Sequence, residues 1–387
     1  MSLSGAIDAP SREFEPTLSA FRVEWRPLAE LAAVGADWRA LAARVLAPNV
    51  FYEPGFALAA APVFGRGVGA GLVWSQAMPP QLLGLFPARV ERFRHGMPVL
   101  VGWTHPYAPL GAPLVDRELS EPVIAAWFAH VAGDPQLPGL MLLPCFPAEG
   151  ELAQALAAVL ARRGGRSAAF ARHQRALLLP SGDRAHYFDE AIGGKKRKEL
   201  RRQRKRLAER GVVTSGSAPV GPALEQFFAL EAGGWKGRVG TAARENAAIA
   251  GFVTAALTAF AGEGKAKISL LRVDARPIAA LVTLRSGASA WCWKIAYDES
   301  FARFSPGVQL LLDVTHMLLD DPAVARADSC ATADHPMIDH IWRERLALED
   351  RLLCVGPDKS FGFACALEAL RRALIGAAKA TRDAVRS

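Results

Sequence analysis

Residues 291–319 read WCWKIAYDESFARFSPGVQLLLDVTHMLL. The first seven are strand formers, and the run breaks at Asp298-Glu299. A short polar-aromatic loop follows. Ser305-Pro306-Gly307 then opens a segment whose leucines and valines recur at helical spacing. Proline suits the first turn of a helix because the amide it lacks would have no partner there. The first amides of a helix carry partial positive charge and attract anions. Ser305 is therefore expected to cap the helix, and Gly307 to leave room for a phosphate. An ordinary Ser-Pro helix start would read in the same way.

Working outward, the strand is the last of three. Runs at 267–273, 277–285 and 289–296 are joined by Asp274-Ala275-Arg276 and Ser286-Gly287, which predicts an antiparallel meander. Downstream, the pattern predicts a helix over 306–319, a strand at 325–331, a helix at 336–345, a strand at 351–355 and a helix over 363–378. Upstream lie helices around 227–230 and over 246–261. The first half has its own alternation. A polar tail (1–20) precedes a strand at 21–25 and a helix over 28–46. After the aromatic turn NVFYEPGF (49–56) come β runs at 71–75, 81–86 and 98–103. A proline-rich loop, THPYAPLGAPLVD (104–116), leads to helices at 121–132 and 149–163 and strands at 140–143 and 176–179. Pro180 is the natural boundary.

The chain has 387 residues, 51% of them hydrophobic and 22% charged, which suits two packed domains and excludes wholesale disorder. The net charge is +8. Residues 195–210 hold ten Lys or Arg against Glu199 and Glu209, which equals that whole excess. The basic character thus belongs to one segment, GGKKRKELRRQRKRLAERG (193–211). It is a helix by composition, with Leu200 and Leu207 forming the thin stripe that docks and the remainder facing water. Between Phe188 and Phe227 there is no aromatic residue to stack on a base, which argues against a general nucleic-acid arm. Five cysteines without a CxxC pair predict a reduced, cytoplasmic protein. No apolar run is long enough for a membrane span, and His335 and His340 are badly spaced for one metal ion, so no metal is expected.

Several stretches together resemble one family. They are FYEPGF (51–56), PYAPLGAPLVD (106–116), the basic helix, EAGGWKGRVGT (231–241), RVDARPIAA (272–280), AYDESFARFSPG (296–307) and DSCATADHPMIDHIW (328–342). In this order they resemble the GNAT N-acyltransferases, specifically the BioF2-like, or CelD-like, branch related to the Fem aminoacyltransferases. The resemblance implies an α/β (α+β) fold of two tandem GNAT-like units, 21–180 and 181–378, each a mixed, mainly antiparallel sheet flanked by helices. It also implies acetyl-CoA as acyl donor, held at Arg303, Ser305, Gly307 and Val308, with Lys294 beside it. The usual Arg/Gln-x-x-Gly-x-Gly/Ala loop is here Arg303-Phe304-Ser305-Pro306-Gly307-Val308, with one glycine.

Acyl transfer to an amine needs a proton acceptor and donors for the carbonyl oxygen. Asp334 and His335 are the first candidates for the proton, then Asp298 and Tyr297. ADHP also reads as an Asx-type turn before a helix. Trp235, Lys236 and Arg238, on a glycine-rich loop, suit an anionic or sugar-bearing ligand, or merely anchor a surface turn. His105 and Tyr107 would line the acceptor side if the two halves form a cleft. The acceptor is expected to be an amine on a small or sugar-linked molecule. Two alternatives stand beside this: aminoacyl transfer from tRNA to a cell-wall precursor, and an inactive acyltransferase fold that binds without catalysis.

Overall fold

The computed structural model describes residues 20–92, 96–180, 186–356 and 360–386, the last eleven of these without side chains. All of the expected 1–20 tail except Ala20 lies outside them. The first half runs β1 (Phe21–Pro27), α1 (Gly35–Ala42), α2 (Pro54–Phe64), β2 (Val68–Ser75), β3 (Leu82–Arg92) and β4 (Pro98–Gly102). It continues with β5 (Leu114–Val115), α3 (Ser120–Gly133), β6 (Leu140–Pro147), α4 (Glu151–Arg162) and β7 (Arg166–Leu178). The second half opens with α5 (Tyr187–Ala191), the basic α6 (Gly194–Ala208), β8 (Val213–Ala218), α7 (Val220–Gly233), the single turn α8 (Trp235–Arg238) and α9 (Ala247–Gly262). The meander β9 (Ala266–Val273), β10 (Arg276–Ser286) and β11 (Ser289–Tyr297) follows. Then come α10 (Pro306–Asp320), β12 (Arg326–Asp328), β13 (Glu344–Cys354) and α11 (Phe361–Arg386).

One mixed sheet runs through the chain in the order β1-β2-β3-β4-β6-β13-β7-β12-β11-β10-β9-β8, with β5 on β3. Its ends mirror each other. Four antiparallel strands, β1 to β4, meet a parallel partner in β6, and β8 to β11 meet a parallel partner in β12. At the centre the final strands are exchanged: β7 pairs with β12, and β13 crosses back to β6. The expected mixed, mainly antiparallel sheet flanked by helices is what the chain forms, and strands cross the Pro180 boundary in both directions.

Apolar cores lie on both faces. One joins the halves, with α2 against α9. Gly55 allows that approach, since a Cβ there would come within 2.9 Å of Phe260. A second core packs α5, α6 and α10 on the opposite face of β9 to β12. At the junction Arg175 of β7 and Asp328 of β12 form a buried pair at 2.5 Å, and Arg175 also donates to the Pro109 carbonyl at 2.8 Å.

Four local expectations are corrected. Residues 28–34 form a 3-10 helix before α1, with Leu28, Leu31 and Val34, three residues apart, as its buried face. Residues 336–341 are turns and β13 starts at Glu344, so no helix forms there. The strand expected at 325–331 ends at Asp328. The last strand of the first half begins at Arg166, ten residues early, because β13 pairs along nearly all of it.

Candidate functional site

Strand β11 pairs with β12 only over Ser289–Trp291. On its other edge it stays bonded to β10 as far as Tyr297. Residues 292–297 therefore border an opening toward 329–335, and their backbone groups on that side have no ladder partner. A bulge enters the same segment. Lys294 faces Val282 and Cys292 faces Thr283, so Trp293 is the extra residue. The bulge changes the phase of the strand. Cys292, Ile295 and Tyr297 face the core around α10, whereas Trp293 and Ala296 face the core shared with the first half.

Lys294 is on the Trp293 side. Its Nζ lies 3.8 Å from the centroid of the Tyr107 ring and 5.6 Å from that of Trp293, whose Nε1 donates to the Tyr107 carbonyl at 2.8 Å. Nearby on α7, buried Glu231 accepts from Lys236 Nζ at 2.8 Å and from the Ala243 amide at 2.9 Å. Burial, and then the neighbouring Lys236 charge, pull the Lys294 ammonium down to about 8, with Glu231 opposing. Burial, and then Glu231, push the Tyr107 hydroxyl up. His105 sits behind Tyr107, stacked 4.1 Å from Phe64, and burial holds its imidazole down to about 3. It is a neutral packing group.

The opposite face carries the α10 start. Ser305 is left-handed (φ 52°, ψ 53°) and its hydroxyl caps nothing, contrary to the expected cap. It turns the chain out of a 3-10 stretch, Glu299–Phe304, which Asp298 caps through the Ser300 amide. Pro306 and Gly307 are buried and Val308 is half-buried. A Cβ on Gly307 would lie 3.1 Å from Met337 Cε and 3.3 Å from Tyr297 Cδ1, so this glycine is needed for the close approach. Met337 belongs to the turn that carries exposed Asp334 and half-buried His335, whose Nδ1 accepts the Met337 amide at 3.3 Å. Asp298 is engaged as that cap and in an ion pair with Arg276 at 2.5 Å. Burial raises its carboxyl, but the Ser300 and Arg276 contacts outweigh this and hold it below the usual range.

The basic α6 crosses the first turns of α10. Leu200 and Leu207 are its buried contacts, the thin stripe that their spacing predicts. Gln309 Nε2 donates to the Leu200 carbonyl at 3.0 Å, and Arg204 pairs with Asp313 at 3.1 Å. Between α6 and the segment before α10 is an open cavity of about 480 Å³, lined by Arg202, Arg206, Arg210 and Arg303 together with Glu199 and Glu209.

The expected loop 231–241 contains one helical turn. Glu299 ties it to the end of β11, accepting the Trp235 amide at 2.7 Å and pairing with Arg238 at 2.8 Å. The sequence candidates thus divide. Tyr107, Lys236 and Lys294 gather on one face of the opening. Tyr297, Arg303, Ser305, Gly307, Val308, Asp334 and His335 lie on the other. Lys294 is not beside the α10 start. Sequence reading missed Glu231, Arg206 and Arg210 as individuals, because nothing in EAGGW or the basic run tells a buried or converging side chain from a wet one. Among the described residues no group of His, Cys, Asp and Glu could hold a metal ion.

Residues 194–335 match the model of the acetyltransferase (GNAT) domain. The likeness to that family lies within the second half. Among solved structures the chain is similar to FemX, at 9% identity with a TM-score of 0.56 over 82% of this chain and 95% of that one. It is also similar to a conserved protein of unknown function from Bacteroides thetaiotaomicron, at 11% identity and TM-score 0.52 over 83% and 97% of the two chains. A third is the C-terminal domain of a protein described as a lysylphosphatidylglycerol synthetase, from Agrobacterium fabrum (11%, 0.50, 89% and 96%). At these identities the likeness is one of fold, and it spans the chain rather than the GNAT segment alone. No curated protein matches the sequence.

Proposed function

We propose that this protein is an N-acyltransferase of the CelD-like branch that moves an acyl group, acetyl in the simplest case, from acyl-CoA to an amine on a small or sugar-linked acceptor. The observation that carries this is the opening beside β11. It joins the α10 start, whose first amides have no partner within the helix, on one face to a polar cluster on the other. The residues present fit a CoA donor. Gly307 and Val308 supply first-turn amides, and Arg303 adds a cation. When bound, such a donor supplies a thioester carbonyl open to attack.

The remaining chemistry belongs to the chain. Unladdered amides of residues 292–297 are donors for the carbonyl oxygen. The acceptor amine enters on the Tyr107 and Lys236 face, and neutral Lys294 takes its proton, with Asp334 or His335 as the competing acceptors on the α10 side. Trp235 and Arg238 line the entrance. We read 21–180 and 181–378 as two units that meet at this opening. The cytoplasm is the proposed location, since all five cysteines are free; no helix of the described residues is long and apolar enough to cross a membrane.

Calorimetry with acetyl-CoA tests the donor. Binding in the micromolar range supports it, and no heat at millimolar concentration removes it. The arginines of α6 favour tRNA as the second reading. Aminoacyl transfer requires steeply salt-dependent tRNA binding that fails when Arg201, Arg202, Arg204 and Lys205 are replaced.

A further inference from the structure

The parallel ladder between β11 and β12 pairs Ser289 with Arg326, Ala290 with Ala327 and Trp291 with Asp328, and no further. Successive side chains of a strand alternate between its faces. Ala290 and Ala327 enter the core around α10, and Trp291 enters the core shared with the first half. Ser289, Trp291, Arg326 and Asp328 therefore project together toward the first half. There they line a small cavity of about 40 Å³, whose other wall includes Pro48, Leu110 and Pro147.

The polar groups around this cavity are mismatched in one direction. Trp291 is 2% exposed, and its Nε1, which can only donate, has no partner. Among the described residues no hydrogen bond or ion pair engages the half-buried Arg326 guanidinium, which has donors and no acceptor. Asp328, the acidic group in the wall, is already engaged: its Oδ2 accepts from Arg175 and its Oδ1 from the Cys330 amide at 2.9 Å. The charges of Arg175 and Asp328 cancel, and that of Arg326 is left over. Burial disfavours this cation, Asp328 offsets part of the cost, and Arg175 adds to it.

An unmatched guanidinium and a buried indole N–H without an acceptor each cost stability. A guest that only accepts hydrogen bonds and carries one negative charge relieves both. A water molecule has the right size but brings no charge and two hydrogens of its own. A cavity of about 40 Å³ holds a single small ion and excludes a phosphate ester, a nucleotide or a peptide.

We propose that this cavity binds one monovalent anion of halide size, chloride in practice, between Trp291 Nε1, the Ser289 hydroxyl and the Arg326 guanidinium. The ion ties the short β11–β12 ladder to the first half, just before the chain turns away at the end of β12. The inference is independent of the acyl-transfer reading.

The test is the anion-specific stability of the full chain. Denaturant melts are compared in sodium chloride and in sodium gluconate at equal ionic strength, since gluconate is too large for the cavity. The wild type is expected to gain stability with chloride along a saturating curve. Its unfolding constant should fall about 11-fold at a chloride concentration ten times the dissociation constant. R326Q removes the charge and W291F the indole N–H, and each should flatten that curve. The comparison is between salts within each variant, so a shift in baseline stability does not enter it. A wild type that responds alike to the two salts overturns the site, as does a chloride response that survives in either variant. Wild-type crystals grown in bromide give a reading that needs no variant. An anomalous peak within hydrogen-bond reach of Trp291 Nε1 supports the proposal, and an ordinary water in that place, or no peak, overturns it.

Discussion

Replacing Lys294 by methionine keeps the aliphatic stem and removes the ammonium. The bulge at Trp293 places that ammonium against the Tyr107 ring in a mostly buried site. A lysine held at about 8 in place of its usual 10.5 gives up about 3 kcal/mol of charge stabilisation in the folded state. The ring face of Tyr107 offsets part of this. The sign follows from proton binding. Between about pH 8 and 10.5 the unfolded chain keeps a proton that the folded chain has released, so this residue makes stability rise with pH across that window. Below it both states are charged and the burial cost is fully felt. K294M should therefore be as stable as the wild type or more so at pH 7, by up to about 2 kcal/mol, and the difference should close toward pH 10. In turnover the wild type should gain activity through about pH 8 as Lys294 becomes neutral, and K294M should lose about 100-fold or more with no such step. Denaturant melts at pH 7 and 10 give the first result. A pH profile using an acceptor amine that is already neutral at pH 6 gives the second. If K294M is several kcal/mol less stable at pH 7, or keeps the wild-type pH step, the reasoning about this lysine is wrong.

Other positions give sharp expectations. E231Q leaves Lys236 without its buried counter-charge and weakens the bond to the Ala243 amide, so denaturant melts should show a loss of about 2 kcal/mol. R175A strands the Asp328 carboxylate between β7 and β12 and should cost about 3–5 kcal/mol; a loss under 1 kcal/mol would mean the pair holds nothing. G307V puts branched carbons where Met337 and Tyr297 already close in, so acetyl-CoA affinity should fall at least about tenfold, while K198Q should change it little.

Much of the second half was legible because its signals are local. The meander at 267–296 alternates between clear turns, Ser-Pro-Gly marks the α10 start, and two leucines mark the buried edge of α6. What was hidden depends on distant partners. The residues RSAAFARHQ at 166–174 do not read as a strand, and they become one because β13, some 170 residues later, pairs along them. The bulge was equally hidden. WCWKIAY reads as simple alternation, which would set Trp293 and Lys294 on opposite faces, and the extra residue puts them on one. The early end of β12 at Asp328 creates the opening, and no residue type announces it; the chain simply turns away through left-handed Cys330 and Asp334. Which carboxylates are buried could not be read either, since Glu231 and the exposed Glu225 share one helix.

The central claim is that a thioester reaches the opening beside β11 and gives its acyl group to an amine. Its most direct measurement follows free CoA released from acetyl-CoA as a panel of small and amino-sugar acceptors is added. The account predicts release that depends on an amine, is matched by an acetylated product in the mass spectrum, and falls in both K294M and G307V. No release with any amine, together with no acetyl-CoA binding at millimolar concentration, would contradict it.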